Sequence, residues 1–259
     1  MATFLFDKII FGPVVSRRLG VSLGINLLPA DNKWCSFNCI YCECGWTAEG
    51  PYPGEGFPPR ELVSAELEKK LVSMRETGRK PDTITFAGNG EPTLHPSFEG
   101  IIADTVALRG RFAPDAAIAV LSNGTMLDDP GVFRALRLVD MNILKIDSAR
   151  EETMRLLNQP EEGFCFDSLV KNIGRFRGRF VLQTLFVRGI YRGAVVDNAS
   201  EEELDEWLKL VGRLRPQLVM VYTIARDTPS SGLHKILPEE LDNIAGRVLK
   251  LGIAVQVSA

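Results

Sequence analysis

No apolar run in the 259-residue sequence approaches the roughly 20 residues that a helix needs to cross a bilayer, which excludes a membrane-spanning helix. At the N-terminus Phe4-Leu5-Phe6 is broken at once by Asp7 and Lys8, so no signal peptide is read there and a cytoplasmic location is expected. Basic charge is not in excess either. Thirty Lys and Arg stand against 33 Asp and Glu, and the net charge of −3 argues against a broadly basic surface that would wrap nucleic acid. Low-complexity tracts and solenoid repeats are missing. Cysteine is scarce and unevenly placed: none precedes Cys35, none follows Cys165, and four of the five lie between Cys35 and Cys44. An odd count in a chain of cytosolic character argues against a disulfide framework and for metal or redox chemistry.

What is present is an ordinary globular composition, 45% hydrophobic and 24% charged. The length is near the upper end for one hydrophobic core, so a single domain is expected over residues 1–259. Short β-branched runs alternate with amphipathic ones. Strands are predicted at residues 21–28, 83–87, 117–121, 142–147, 180–187, 218–224 and 253–257. Helices are predicted at 60–77, 97–108, 130–138, 166–176, 200–214 and 238–251, with apolar residues at helical spacing such as Leu67, Leu71 and Met74. This alternation gives an α/β fold of parallel strands. Six βα units are too few to close an eight-stranded barrel, so a partial (β/α)6 barrel is expected, with a doubly wound open sheet as the alternative. The chain then divides into an N-terminal extension and first strand (1–30), a cysteine loop with a lid-like loop (31–59) and βα repeats (60–259). In either architecture the chemistry belongs at the C-terminal strand ends. The Pro- and Gly-rich stretch 45–59, with Pro51, Tyr52, Pro53, Gly54 and Phe57, has no periodicity and reads as a lid or substrate-facing loop.

The segment Cys35-Ser36-Phe37-Asn38-Cys39-Ile40-Tyr41-Cys42 spaces three thiols as Cys-x3-Cys-x2-Cys. Thiolate-only ligation suits zinc or an iron–sulfur cluster. Zinc wants a fourth protein ligand, and Cys44, two residues after Cys42, is poorly spaced to be one; a zinc-stabilised binding module is the non-enzymatic reading.

The same octapeptide, with an aromatic residue before the last cysteine, resembles the signature of the radical S-adenosylmethionine (SAM) superfamily. The resemblance implies one 4Fe–4S cluster on Cys35, Cys39 and Cys42, with the fourth iron open to the amino and carboxylate groups of SAM. It implies that Tyr41 packs near the adenine; as a residue alone Tyr41 is equally a loop anchor. Gly88-Asn89-Gly90-Glu91-Pro92, at the end of a predicted strand, resembles the Gly-Gly-Glu-Pro motif that holds the SAM ammonium, with Asn89 in place of the second glycine. On pattern alone it also reads as a strand-to-helix turn. Ser122 and Asn123, in Leu121-Ser122-Asn123-Gly124-Thr125, take the position of a strand-end hydroxyl or amide near SAM, or of plain turn chemistry. Period two puts Lys145 and Asp147 on one face of their strand. They are expected to serve the cofactor site or to pair with each other. Gln183, inside an apolar run with Thr184, completes the expected cofactor set. His95, before a helix, reads as a cap or loop contact. Tyr222 and Arg226 are candidates to face substrate.

Gly12-Pro13-Val14-Val15-Ser16-Arg17-Arg18-Leu19-Gly20, Gln183-Thr184-Leu185-Phe186 and Tyr222-Thr223-Ile224-Ala225-Arg226 resemble a bacterial radical SAM group without an assigned reaction, related to the wyosine-type tRNA-modifying synthases. Those synthases carry further cluster cysteines before the triplet, and none stands here. The absence of cysteine after Cys165 likewise speaks against an auxiliary-cluster domain. The expected activity is reductive cleavage of SAM to a 5′-deoxyadenosyl radical that abstracts hydrogen from a small molecule or protein segment. A donor such as flavodoxin or ferredoxin supplies the electron. A glycyl-radical activating enzyme and a tRNA-modifying enzyme are the alternatives. Arg17-Arg18 and the run Arg175-Phe176-Arg177-Gly178-Arg179 read as solvated basic segments, and nucleic acid is not the expected partner.

Overall fold

The computed structural model describes residues 4–16, 18–47 and 56–259. Arg17 and the centre of the Pro/Gly-rich loop, including Pro51, Tyr52, Pro53 and Gly54, lie outside the described residues. The first half of the chain runs β1 (Ile10–Ser16), β2 (Gly20–Ile25), α1 (Arg60–Glu76), β3 (Thr83–Phe86), α2 (Phe98–Phe112), β4 (Ala117–Ser122), α3 (Pro130–Leu136) and β5 (Met141–Lys145). The second half runs α4 (Glu151–Asn158), α5 (Phe166–Gly174), β6 (Val181–Leu185), β7 (Val187–Tyr191), β8 (Ala194–Asp197), α6 (Glu201–Leu214), β9 (Leu218–Tyr222), β10 (Leu233–Lys235), α7 (Pro238–Lys250) and β11 (Ala254–Ser258).

All seven predicted strands and all six predicted helices are found, with ends shifted by a few residues. The large sheet has the order β1-β2-β3-β4-β5-β6-β9-β11. Only β1 is antiparallel to its neighbour. From β2 to β11 the order never reverses, whereas a doubly wound sheet must reverse at its switch point, so that alternative is set aside. The sheet curls into a half-barrel with its helices outside.

Four strands and one helix escape the sequence pattern. β1 contains Gly12-Pro13, which breaks a strand signal; it survives as an edge strand with an irregular register between Phe11 and Val14. β7 and β8 turn through Arg192 and Gly193, both at positive φ, a pair without the usual Asn-Gly signature, and β10 adds to this small second sheet. α4 is eight residues long and buries only Met154, Leu157 and Asn158.

Alternation along the strands separates two apolar layers. One face, with Ile84, Phe86, Ile118, Val120, Leu144, Leu182 and Val219, packs into the main core beneath the helices. The concave face carries a separate small cluster of Ala119, Ile143, Val181 and Met220. Two residues farther along their strands, toward the C-terminal ends, stand Leu121, Lys145, Gln183 and Tyr222. The register therefore turns the polar Lys145, Gln183 and Tyr222, with Leu121, into the concave mouth.

Candidate active site

The cysteine loop follows β2 and is fastened on two sides. On one side Trp34 N–H donates to Asn89 O (2.7 Å) and Glu91 N–H donates to Trp34 O (2.9 Å), a one-residue parallel bridge to Gly90. That bridge explains Gly90: its φ is +142°, and a Cβ there would stand 1.7 Å from the Trp34 carbonyl oxygen. Gly88 has a similar reason, since its Cβ would meet Asn26 Oδ1 at 2.3 Å. On the other side Asn38 and Ile40 donate their amides to Asn158 O (2.9 Å) and Leu157 O (3.0 Å) at the end of α4. Phe37 and Ile40 are buried and anchor the loop in the core. α4, unread in the sequence, is thus a clamp for the cysteines.

The loop and the strand ends enclose a cavity of about 310 Å³ lined by Cys35, Cys39, Cys42 and Cys44. Tyr41, Gly88, Gly90, Glu91, Ser122, Asn123, Lys145 and Gln183 line the same cavity. Two expected residues do not. Asn89 is fully buried; its amide donates to Phe6 O (2.9 Å) and Pro29 O (2.8 Å) and its oxygen accepts from Phe6 N–H, so it ties down the N-terminal segment. Asp147 lies past the end of β5, behind the wall, where it accepts from Leu185 N–H (2.9 Å), Asn158 Nδ2 (2.7 Å) and the Tyr41 hydroxyl. It also pairs with Lys145 at 3.4 Å, the paired outcome allowed by their spacing.

Tyr41 is therefore held by its hydroxyl, and burial together with Asp147 raises its pKa well above the ordinary phenol value. Asn158, the hub of this group, also donates to Cys39 Sγ at 3.3 Å. Lys145 Nζ donates to the Tyr222 hydroxyl (2.7 Å) and sits 5.0 Å and 5.1 Å from the Tyr41 and Tyr222 ring centres. Burial works to lower the Lys145 pKa, but Asp147, Tyr222 and Cys39 together outweigh it and the ammonium is raised. Gln183 faces the cavity, while Thr184 points to the helix side, donating to Ile146 O and accepting from Trp207 Nε1.

Glu91 is buried and shared among four donors. Oε1 accepts from Thr93 N–H (3.1 Å), Thr93 Oγ1 (2.5 Å) and Ser122 Oγ (2.9 Å); Oε2 accepts from Asn123 N–H (2.7 Å). Burial raises its pKa against the pull of these bonds. The carboxylate joins the ends of β3 and β4, and Oε2, with one donor, keeps acceptor capacity for a cation. Asn123 Nδ2 reaches Ser36 Oγ (3.0 Å) and Cys35 Sγ (3.6 Å), so β4 also supports the cysteine loop. His95 is a loop contact: Nδ1 accepts from Ser97 N–H and Nε2 donates to Pro58 O.

Lys33, like Asn158, is a residue that sequence reasoning missed. It is 3% exposed, its Nζ donates to Gly45 O (3.1 Å), and among the described residues no carboxylate pairs with it. Burial would lower its pKa, yet the thiolates of Cys42, Cys35, Cys39 and Cys44 raise it. In turn Cys42 is lowered, first by the hydrogen bond from Cys44 and, against burial, by the Lys33 ammonium. Burial pushes Cys35 and Cys39 up. A buried ammonium whose anionic neighbours are thiols is balanced only when some of those thiols are ionised, as metal ligation requires. Among the described residues no three His, Cys, Asp or Glu side chains converge as a metal site, which bears equally on a zinc loop and on a cluster. The chemistry of the donor set, thiols beside a buried ammonium, suits an anionic thiolate-bound group.

The family model of the radical SAM superfamily matches residues 32–211. Among curated proteins, the chain is 31% identical over 242 residues to a protein named GTPase Obg from Brachyspira hyodysenteriae, covering 92% of this chain and 33% of that one. No Gly-x4-Gly-Lys-Ser/Thr phosphate loop occurs in the sequence. It is also 31% identical over 222 residues to UPF0026 protein MJ1312 of Methanocaldococcus jannaschii, covering 84% of this chain and 64% of that one. The chain thus spans between a third and two thirds of these relatives. Among solved structures, a radical SAM methyltransferase from Sphaerobacter thermophilus shares the fold with a TM-score of 0.67 at 16% identity, over 92% of this chain and 65% of that one.

Proposed function

The chain belongs to the radical SAM superfamily, and on that premise we propose that Cys35, Cys39 and Cys42 hold one 4Fe–4S cluster beside a SAM site on the strand ends. Membership makes the protein an enzyme that uses SAM and an iron–sulfur cluster. The observation that carries the finer reading is the single cavity: the three cysteines of the loop and the C-terminal ends of β3, β4, β5, β6 and β9 all border it. When bound, the cluster supplies one electron that splits SAM into methionine and a 5′-deoxyadenosyl radical for hydrogen abstraction.

The chain's residues divide the work of holding the cofactors. Oε2 of Glu91 and the Gly88 carbonyl, now in contact with Cys44 Sγ at 3.4 Å, offer acceptors to the SAM ammonium. The Lys145 ammonium and the Ser122–Asn123 turn offer charge and donors to its carboxylate and ribose. Tyr41, fixed through Asp147 and Asn158, offers a ring wall to the adenine. Lys33 balances the thiolates and lowers the cost of burying them. Apolar loop anchors keep water from the cysteines.

The substrate is a small molecule or protein segment rather than folded RNA. Lys171, Arg177, Arg213 and Arg215 do gather around one surface hollow, but Arg177 and Arg215 precede β6 and β9, at the strand ends opposite the cysteines. Arg175 turns inward, stacking on Phe133 at 3.9 Å and donating to Leu127 O. The electron comes from an external donor such as flavodoxin or ferredoxin, and the setting is cytoplasmic; among the described residues no helix is long and apolar enough to cross a membrane. The test is anaerobic reconstitution with iron and sulfide. Uptake of about four irons, and 5′-deoxyadenosine formed from SAM and dithionite, are expected. A protein that retains only zinc would refute the reading.

A further inference from the structure

Of the cations bordering the cavity, Lys145 has Asp147 and Arg226 has Glu43. Arg18 has none. Its guanidinium makes no hydrogen bond or ion pair among the described residues, and Nη1 is buried without a partner. The group is nonetheless held in place. Its Cζ lies 4.6 Å above the Tyr222 ring, its amide donates to Ser16 Oγ (3.3 Å), and its carbonyl accepts from Gln256 Nε2 (3.4 Å). The sequence reading of a solvated basic turn is corrected for this residue: Arg18, just before β2, borders the cavity and lies over the Tyr222 ring.

Arg18 also borders a second hollow of about 160 Å³, deeper on the concave face. Ala87, Leu121 and Gln183 line both spaces, so the two adjoin. The deeper walls are largely apolar, with Phe6, Phe11, Ile143 and Met220. Two of its polar groups, Ser22 and Thr85, are satisfied by each other at 2.7 Å. A guanidinium offers five donors and cannot shed its charge, so a buried N–H left unpaired is costly until an anion meets it. Lys145 is paired with Asp147 and assigned above to SAM, which leaves the Arg18 charge without a partner here. That matches a monoanion rather than a phosphate dianion.

We propose that the deeper hollow is the substrate site and that Arg18 binds the carboxylate of a compact, largely apolar acid, next to SAM. This rests on the SAM reading of the adjoining cavity. Hexanoate and hexanamide serve as probes with one apolar body and two head groups. Their affinities are measured by ligand-observed NMR on reconstituted protein with SAM, and again without SAM. For the wild type, hexanoate should bind about tenfold or more tighter than hexanamide, the span of one charge-assisted hydrogen bond. Arg18→Met should erase that preference, Arg18→Lys should keep part of it, and SAM affinity should be unchanged in both. Three results would overturn the proposal: no preference or no binding in the wild type, a preference that survives Arg18→Met, or a parallel tenfold loss of SAM affinity in Arg18→Met, which would give the guanidinium to SAM. Failure of the wild type to take up iron or SAM would instead strike the cofactor reading, and the measurement without SAM would still decide the role of Arg18.

Discussion

Gly90→Ala isolates the seam between the cysteine loop and the barrel. The new Cβ would lie 1.7 Å from Trp34 O, with backbone rather than a flexible side chain in its way. Trp34 must retreat by more than about 1 Å to restore an ordinary contact. The two bonds of the bridge, at 2.7 and 2.9 Å, cannot survive that shift. Their loss costs about 1 kcal/mol each, and an alanine held at φ +142° adds about 1–3 kcal/mol. The expected destabilisation is therefore about 3–5 kcal/mol in urea titrations of the reduced apoprotein. Gly110→Ala in α2 is the control: nothing lies within 4 Å of its Cβ, and a helical glycine replaced by alanine should gain about 0.5–1 kcal/mol. If the loop detaches locally instead of unfolding the protein, the thiols of Cys35 and Cys39 should react faster with a disulfide reagent than in the wild type. Gly90→Ala with unchanged stability and unchanged thiol reactivity would refute the reasoning.

Replacing Cys35, Cys39 or Cys42 with Ala should abolish iron uptake, whereas Cys44→Ala and Cys165→Ala should retain it; iron analysis after reconstitution decides, and loss in Cys44→Ala as complete as in Cys42→Ala would contradict three-cysteine ligation. Glu91→Ala and Lys145→Ala should each weaken SAM binding about tenfold or more while iron content stays near the wild type, because each removes a charged contact offered to SAM. Equilibrium dialysis checks this, and unchanged affinity in both would remove these residues from the SAM site.

The sequence exposes the parallel barrel because its strands are buried on both faces and appear as compact β-branched runs between helical ones. β1 is hidden by Gly12-Pro13, and the β7–β8 hairpin by a turn through Arg192-Gly193. Of the residues the sequence singles out by type and position, the cysteine triplet, Gly88, Gly90, Glu91 and Lys145 come together around one cavity. What pattern alone misses is direction. Asn89 sits within the motif yet turns away to hold Phe6 and Pro29, and Asp147 acts through Tyr41 and Lys145 from behind the wall. Lys33 and Asn158 matter through long-range packing, with no local signature: Asn158 reaches Cys39 across 119 residues of chain. Arg18 looks like a surface residue until its guanidinium is seen above the Tyr222 ring.

The most direct measurement of the central claim is 5′-deoxyadenosine formed from SAM by the reconstituted protein under dithionite, compared with Cys42→Ala treated identically. Product from the wild type and none from Cys42→Ala is the expected result. Equal product from both proteins, or none from a wild type carrying its full iron complement, would contradict the account.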